Sequence, residues 1–376
     1  MKLEPFAMER LQSEWENRVR HNLSESGVHP MSVAELLAGE GVEALLSQRL
    51  VYIQSNGTEE LRTRIAALHP GAGADNVTVA NGGAEANFIA AWRVVEPGDD
   101  VVMVLPNYMQ LWGVLRSFGA NVIGVPLREE QGWAPDADAL RRAVGPRTRL
   151  VVVCNPNNPT GAVLSDEARR ALVAAASAHG SWILSDEVYR GAERDGVETR
   201  SLWGDYDRLL VTGGLSKAYG LPGLRLGWVV APAALSAELW ARKDYLTISP
   251  GAISDLLARR ALDPQVRPRI LERTRGILRA NYPVLEGWAQ RRRQAFRLVP
   301  PRAGAIAYLR YAWKVNSTEL VLRLRDEQSV LVVPGDHFGM DGYLRVGFGN
   351  EPEDLRAGLE RIDAVLDRLE APAAAS

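Results

Sequence analysis

Leu209-Leu210-Val211-Thr212-Gly213-Gly214-Leu215-Ser216-Lys217-Ala218-Tyr219-Gly220-Leu221-Pro222-Gly223-Leu224-Arg225-Leu226-Gly227-Trp228 is the stretch from which the rest of this chain can be read. An apolar run of four ends in a glycine pair, and a second apolar run, Leu226 to Val230, follows the loop. Short apolar runs bounded by glycine and proline read as buried strands. Between them stand one lysine and one arginine in a loop whose glycines allow close backbone approach to a ligand. The lysine is conspicuous. The 376 residues include 44 Lys plus Arg, yet only Lys2, Lys217, Lys243 and Lys314 are lysines and the other forty are arginines. Lysine is ordinarily among the commonest residues. A guanidinium stays protonated and makes no useful covalent link to a carbonyl carbon, so arginine cannot replace a lysine whose amine must react. Nothing in the sequence places a comparable demand on Lys2, Lys243 or Lys314.

Working outward, similar apolar runs recur at Val101 to Leu105, Asn121 to Val125, Leu150 to Cys154 and Trp182 to Ser185. Helical patterns lie at Ala84 to Val95, Met109 to Phe118 and Asp166 to Ala178. Alternating strand and helix predicts an α/β unit on a mainly parallel sheet flanked by helices, with right-handed crossovers. The ends differ. Residues 1 to about 44 read as helical with an irregular Asn22 to Pro30 segment, and residues 257–376 mix arginine-rich helices with strand-like pieces at Ala305 to Leu309, Val330 to Val333 and Tyr343 to Val346. The last pattern, Glu353 to Leu369, repeats apolar residues at helical spacing. The expected organisation is a large domain over 45–256 and a smaller α+β domain built from 1–44 and 257–376, with a frayed low-complexity tail at Ala371 to Ser376.

In an open α/β sheet, ligands bind beyond the carboxyl ends of the strands. Val77 to Ala80 is followed by Asn81-Gly82-Gly83-Ala84 opening a helix, where free N–H groups and the positive dipole end seat a phosphate. Leu150 to Cys154 is followed by Asn155-Pro156-Asn157-Asn158-Pro159-Thr160-Gly161, which stops the strand and leaves amides at its rim. Trp182 to Ser185 is followed by Asp186-Glu187-Val188-Tyr189, and an acid there needs a donor, a cation or a proton. These strand ends together offer an anion cradle, a carboxylate, an amide, a phenol and an amine, the inventory for a phosphorylated aldehyde cofactor.

Composition narrows the classes. A net charge of -2 and a pI near 6.3 argue against a nucleic-acid or polybasic membrane surface. The single Cys154 forms no intramolecular disulfide and fits a buried strand residue in a reducing compartment. The five histidines show no metal-ligand spacing, so no metal is expected. The charged N-terminal sequence lacks a signal-peptide core, and no run of 18 apolar residues occurs. A soluble cytoplasmic protein with no membrane partner is expected. The Arg291-Arg292-Arg293 run reads as a solvated helix face.

Asn155-Pro156-Asn157-Asn158-Pro159-Thr160-Gly161, Ser185-Asp186-Glu187-Val188-Tyr189 and the Ser216 to Gly227 loop, in this order, resemble the pyridoxal 5'-phosphate-dependent aminotransferases of the aspartate aminotransferase type, class I/II and fold type I. The resemblance covers about residues 22–350. It implies that Lys217 forms the imine link to the cofactor and, once displaced, moves a proton at the substrate's α-carbon. Asp186 is implied to pair with the ring nitrogen, Asn158 and Tyr189 to hydrogen-bond the ring's phenolic oxygen, and Tyr108 to stack on the ring face. Gly83, Ala84, Ser216 and Arg225 are implied to hold the phosphate, with Tyr52 reaching it from the neighbouring subunit of a homodimer. Arg345 matches the arginine that clamps the substrate α-carboxylate, with Asn158 beside it, and Gly27 packs against bound ligand in the segment that folds over the substrate.

Ala84 stands where many relatives have Ser or Thr, and Gly214 where a phosphate-binding Ser is common, so weaker cofactor retention is expected. The implied activity is transfer of an amino group from an L-amino acid to a 2-oxo acid. The alternative is a lyase or cyclase on the same cofactor chemistry, C–S lyase-like or capreomycidine-synthase-like, since Asn22 to Val28 also resembles that relative, which cyclises a hydroxylated arginine. Arg18, Arg20 and Arg242 are candidates for a second clamp on a distal carboxylate. A non-catalytic regulator is disfavoured: only about 40 residues precede the fold, with no helix-turn-helix.

Overall fold

The computed structural model describes residues 3–369; the Ala371 to Ser376 tail and Lys2 lie outside the described residues. The large sheet contains β1 (Val77–Ala80), β2 (Asp100–Leu105), β3 (Asn121–Arg128), β4 (Ala134–Pro135), β5 (Thr148–Cys154), β6 (Trp182–Asp186), β7 (Leu209–Gly214) and β8 (Gly227–Val230). Its order is β1-β8-β7-β6-β5-β2-β3-β4. The pairs β7/β6, β6/β5, β5/β2 and β2/β3 are parallel, while β8 runs antiparallel to both β1 and β7, and β4 antiparallel to β3. The inner strands read as unbroken apolar runs because both faces are covered. Val102, Val151, Val153, Ile183, Leu209 and Val211 enter one core cluster, and their neighbours Val101, Met103, Leu150, Val152, Leu184 and Leu210 enter another.

The smaller domain has a sheet ordered β9-β10-β12-β11, with β9 (Phe296–Leu298), β10 (Ile306–Tyr311), β11 (Val333–Pro334) and β12 (Tyr343–Gly347), antiparallel throughout. The N-terminal segment joins it: His21–Asn22 pairs in parallel with Val330–Leu331. The helix Pro352–Leu366 buries Leu355, Leu359, Ile362, Val365 and Leu366, and ends three residues short of the expected Leu369. The N-terminal segment carries a helix at Ala7–Trp15 and short ones at Val33–Leu37 and Val42–Ser47, with Asn22 to Pro30 outside any helix as the sequence suggests. One expectation needs correction. Arg292 is not merely solvated, because its Nε donates to Asp363 at 2.7 Å and its Nη2 to Asp367, tying Arg267–Arg291 to the last helix.

One close approach carries the N-terminal segment into the space between the sheets. A Cβ on Gly347, at the end of β12, would sit 2.2 Å from the Glu25 carbonyl oxygen. With no side chain there, Leu23 accepts from the Gly347 N–H at 2.7 Å, and the backbone that follows runs past the carboxyl ends of the large sheet.

Candidate active site

Because β8 reverses direction between β1 and β7, the carboxyl ends Ala80, Leu105, Cys154, Asp186 and Gly214 reach the same edge. A cavity of about 370 Å³ opens there. Its wall includes Gly83, Ala84, Tyr108, Asn158, Asp186, Tyr189, Ser216, Lys217, Arg225 and Arg345, so the fold assembles ten of the residues expected from sequence. Two others lie elsewhere. Tyr52 is 84% exposed and does not line its own chain's cavity. Gly27 is buried behind the wall: a Cβ there would meet the Ser216 carbonyl oxygen at 3.3 Å and the Lys217 Cδ at 3.5 Å, so it packs on the lysine's own segment while Glu25 and Ser26 reach the cavity.

The anion cradle is set by backbone proximity. Helix Gly83–Val94 starts at the edge of β1 after Gly82, whose φ is 92°. A Cβ on Gly82 would lie 2.5 Å from Arg225 Nη2, and one on Gly227 would lie 2.6 Å from the Gly83 nitrogen. The missing side chains therefore bring the first helical N–H groups, the Arg225 guanidinium and the Ser216 hydroxyl together, with Arg225 Nη1 at 3.5 Å from Ser216 Oγ. Arg225 is held at φ 46°, a left-handed conformation that costs a non-glycine residue about 1 kcal/mol or more and persists where surrounding structure requires it. At Gly214, an added Cβ would stand 3.1 Å from the Leu226 carbonyl oxygen, so a serine would crowd β8.

Asp186 is 9% exposed at the end of β6. It accepts from Asn87 Nδ2 at 3.0 Å and from the Val188 N–H at 3.1 Å, and no cation pairs with it among the described residues. Burial raises its pKa above the ordinary range, and these two hydrogen bonds oppose the rise. Thr212 in turn donates to Asn87 Oδ1 at 2.7 Å. A buried carboxylate with donors but no cation suits a protonated ring nitrogen.

Arg345, on β12, is 1% exposed. Its Nη1 donates to Asn158 Oδ1 at 3.0 Å and its Nη2 to the Ser24 carbonyl oxygen at 2.6 Å, while its Nε–H has no partner among the described residues. Tyr189 donates from its hydroxyl to Ser26 Oγ at 2.8 Å, and burial pushes its pKa up, so it stays a phenol. Tyr108 donates to Glu9 at 2.8 Å and meets the Phe6 ring edge-on at 5.1 Å. Lys217 Nζ lies 3.2 Å from Glu25 Oε2, and that ammonium lowers the Glu25 pKa to about 2. Cys154 is buried with its thiol pushed up in pKa, consistent with an inert strand residue. No cluster of His, Cys, Asp and Glu able to hold a metal occurs among the described residues. Phosphate cradle, cation-seeking carboxylate, phenol, amide and amine around one cavity fit the cofactor that the sequence resemblance implies.

Several wall residues escape sequence reading: Glu9, Gln12 and Glu16 from the N-terminal helix and the turn after it, and Asn87, while Glu25 and Ser26 belong to the Asn22 to Val28 segment expected to fold over the substrate. The one available signal is the spacing of Glu9, Gln12 and Glu16 by three and four, which puts them on one helix face. Lys243 also has a task that sequence does not reveal. Its side chain is fully buried, 3.7 Å from Glu85 and donating to Thr247 at 3.1 Å, and Glu85 accepts from the Asn81 N–H just before the cradle. Lys243→Ala is expected to cost about 3 kcal/mol, because a buried carboxylate loses its counter-charge, and to weaken cofactor retention. Thermal unfolding with and without cofactor, and dialysis, measure the two effects.

The family model "Aminotransferase class I and II" matches residues 27–362. The chain is 37% identical to capreomycidine synthase of Streptomyces vinaceus over 359 residues, 93% of this chain and 90% of that protein. Among solved structures, a PLP-dependent aminotransferase from Streptococcus suis is 33% identical with a TM-score of 0.93, covering 99% of this chain and 100% of that one. The PLP-dependent cyclase OrfR is 30% identical with a TM-score of 0.88, covering 98% of each.

Proposed function

The chain belongs to the class I and II aminotransferase family of pyridoxal phosphate-dependent enzymes, and from that premise we propose that it moves the amino group of an L-amino acid to a 2-oxo acid. The convergence of Lys217, Asp186, Asn158, Tyr189 and Arg345 on one cavity carries the reading. Pyridoxal phosphate supplies, when bound, a reactive aldehyde carbon and an electron-withdrawing ring. Lys217 would hold that carbon and, once released from it, would move the proton at the substrate's α-carbon. Asp186 would keep a proton on the ring nitrogen, and Asn158 and Tyr189 would hydrogen-bond the ring oxygen. Tyr108 would pack against the ring. The Gly83 and Ala84 amides, Ser216 and Arg225 would bind the phosphate. Arg345 holds the substrate carboxylate through its free Nε–H.

The test is incubation with an amino donor. Formation of the pyridoxamine form together with a 2-oxo acid supports the proposal, and release of ammonia with pyruvate, or of a cyclic product, sinks it. A second reading, elimination or ring closure at the same residues, is favoured by the 37% identity to capreomycidine synthase, and the same product analysis decides between the two.

The working unit in this reading is a homodimer. Leu46, Leu50, Val51 and Tyr52 are exposed large apolar side chains within seven residues of sequence, Leu46 and Leu50 each 81% exposed, and a second copy would cover them in this reading. Light scattering should give twice the 41.2 kDa chain mass. Tyr52→Phe should leave that mass unchanged yet weaken cofactor retention by about tenfold, the worth of one charge-assisted hydrogen bond to phosphate. A monomeric wild type, or full retention in the variant, contradicts this assembly.

A further inference from the structure

Several partly buried acids of this chain are paired with arginine, among them Glu193 with Arg275, Glu198 with Arg267, Asp205 with Arg169 and Glu129 with Arg310. On the cavity wall, besides Asp186, three acids have no arginine partner among the described residues. Glu9 accepts only from the Tyr108 hydroxyl, Glu16 has no cationic partner among the described residues, and Glu25 pairs with Lys217 alone. Burial, together with the Glu25 and Glu9 charges, raises the Glu16 pKa, as expected for carboxylates sharing one space. With the Lys217 amine engaged by the cofactor, Glu25 would lose that ammonium as its direct partner and keep only the through-space attraction of Arg345.

A second observation fixes which part of a ligand goes where. Arg345, almost fully buried on the same cavity, has an unpartnered Nε–H, the mark of a site awaiting an external anion. The cations on the wall are Lys217, Arg225 and Arg345, the first two engaged by the cofactor in the reading above. Arg18, Arg20 and Arg242 do not line the cavity. A distal carboxylate would therefore meet glutamates, while a distal cation would meet acceptors on the N-terminal helix and on the Glu25 segment.

We propose that the substrate is an L-amino acid whose side chain ends in a cation, an amino or guanidino group, received by Glu9, Glu16 and Glu25 while Arg345 holds the α-carboxylate. The inference rests on the proposed reading of this cavity as an amino-acid site and adds the chemistry of the substrate's far end. Like-charged carboxylates repel one another in the empty wall and reject acidic side chains, so the same three residues supply both attraction and exclusion.

Two isosteric pairs test it on the holoenzyme. L-arginine against L-citrulline, and L-lysine against L-2-aminoheptanoate, differ mainly in distal charge. Binding is followed by calorimetry and by the change in the cofactor's visible absorbance. In at least one pair the charged member should bind about tenfold tighter or more, and Glu16→Gln and Glu25→Gln should each reduce that ratio about tenfold while changing the neutral member's affinity by about twofold or less. Retained binding of the neutral member shows that the variants fold. Equal affinity within both pairs, tighter binding of L-glutamate, or a ratio that survives Glu16→Gln, Glu25→Gln and the Glu9→Gln/Glu16→Gln double variant overturns the proposal. In those cases Arg345→Met still weakens every amino acid, and the amino-acid site stands; if no amino acid binds at all, both readings fall together.

Discussion

Lys217→Ala is expected to lower turnover by about 10⁴-fold or more, the combined loss of a covalent anchor and a positioned base. Lys243 is fully buried beside Glu85, and among the described residues the cavity wall contains no lysine besides Lys217, so none of them offers a substitute amine. In this reading the rest of the pocket stays intact, because the proposed phosphate cradle is formed by the Gly83 and Ala84 amides, Ser216 and Arg225. Cofactor binding should therefore persist, though without a covalent link, and be released more readily on dialysis. Borohydride treatment followed by peptide mapping should label Lys217 in the wild type and no lysine in the variant. A small primary amine added to the variant should restore part of the proton transfer, which separates lost chemistry from lost folding. Labelling at Lys243 or Lys314, or activity within tenfold of wild type, would overturn the assignment. One structural consequence is specific to this chain: removing the ammonium frees Glu25, whose pKa should rise from about 2 toward the ordinary carboxylate value.

How much of this site can be read from the sequence depends on what holds each residue in place. Lys217, Asp186, Asn158 and Arg225 follow directly from the end of a buried strand, and the pattern of apolar runs alone locates those ends. The sheet is legible for the same reason, since β2, β5, β6, β7 and β8 are covered on both faces and appear as continuous apolar stretches. Glu9, Gln12 and Glu16 are different. Their spacing defines a helix face, but on an amphipathic surface helix a polar face ordinarily meets water. Only the strand pairing of His21–Asn22 with Val330–Leu331 and the contact of Gly347 with Glu25 turn that face and the following segment toward the cavity. Asn87 escapes notice because its task lies across the sheet edge, on Asp186 and Thr212. Lys243 looks like an ordinary surface charge in a helix, and only its burial against Glu85 reveals otherwise.

Asp186→Ala should lower kcat by about 10²- to 10³-fold, the usual loss when one fixed electrostatic partner is removed from a site where charge develops. Asp186 sits at 9% exposure with two hydrogen-bond donors and no cation, so its negative charge is kept in readiness for a ligand's positive charge. The effect should fall mainly on kcat. Substrate recognition is separate in space, because Arg345 is supported by Asn158 and Ser24 and does not contact Asp186. Asp186→Asn should resemble Asp186→Ala, since a neutral amide keeps the volume but cannot hold a proton on the partner. Asn87→Ala should give a smaller loss of about tenfold, because the residue acts only by orienting the carboxylate, and the Val188 N–H still holds the other oxygen. The order Asp186 over Asn87 is the sharper test: a steric role in the core would make the two losses similar and would show in thermal stability as much as in kcat. If Asp186→Ala turns over within tenfold of wild type, its carboxylate does not serve the ring nitrogen and the assignment of the pocket's far end must be redrawn.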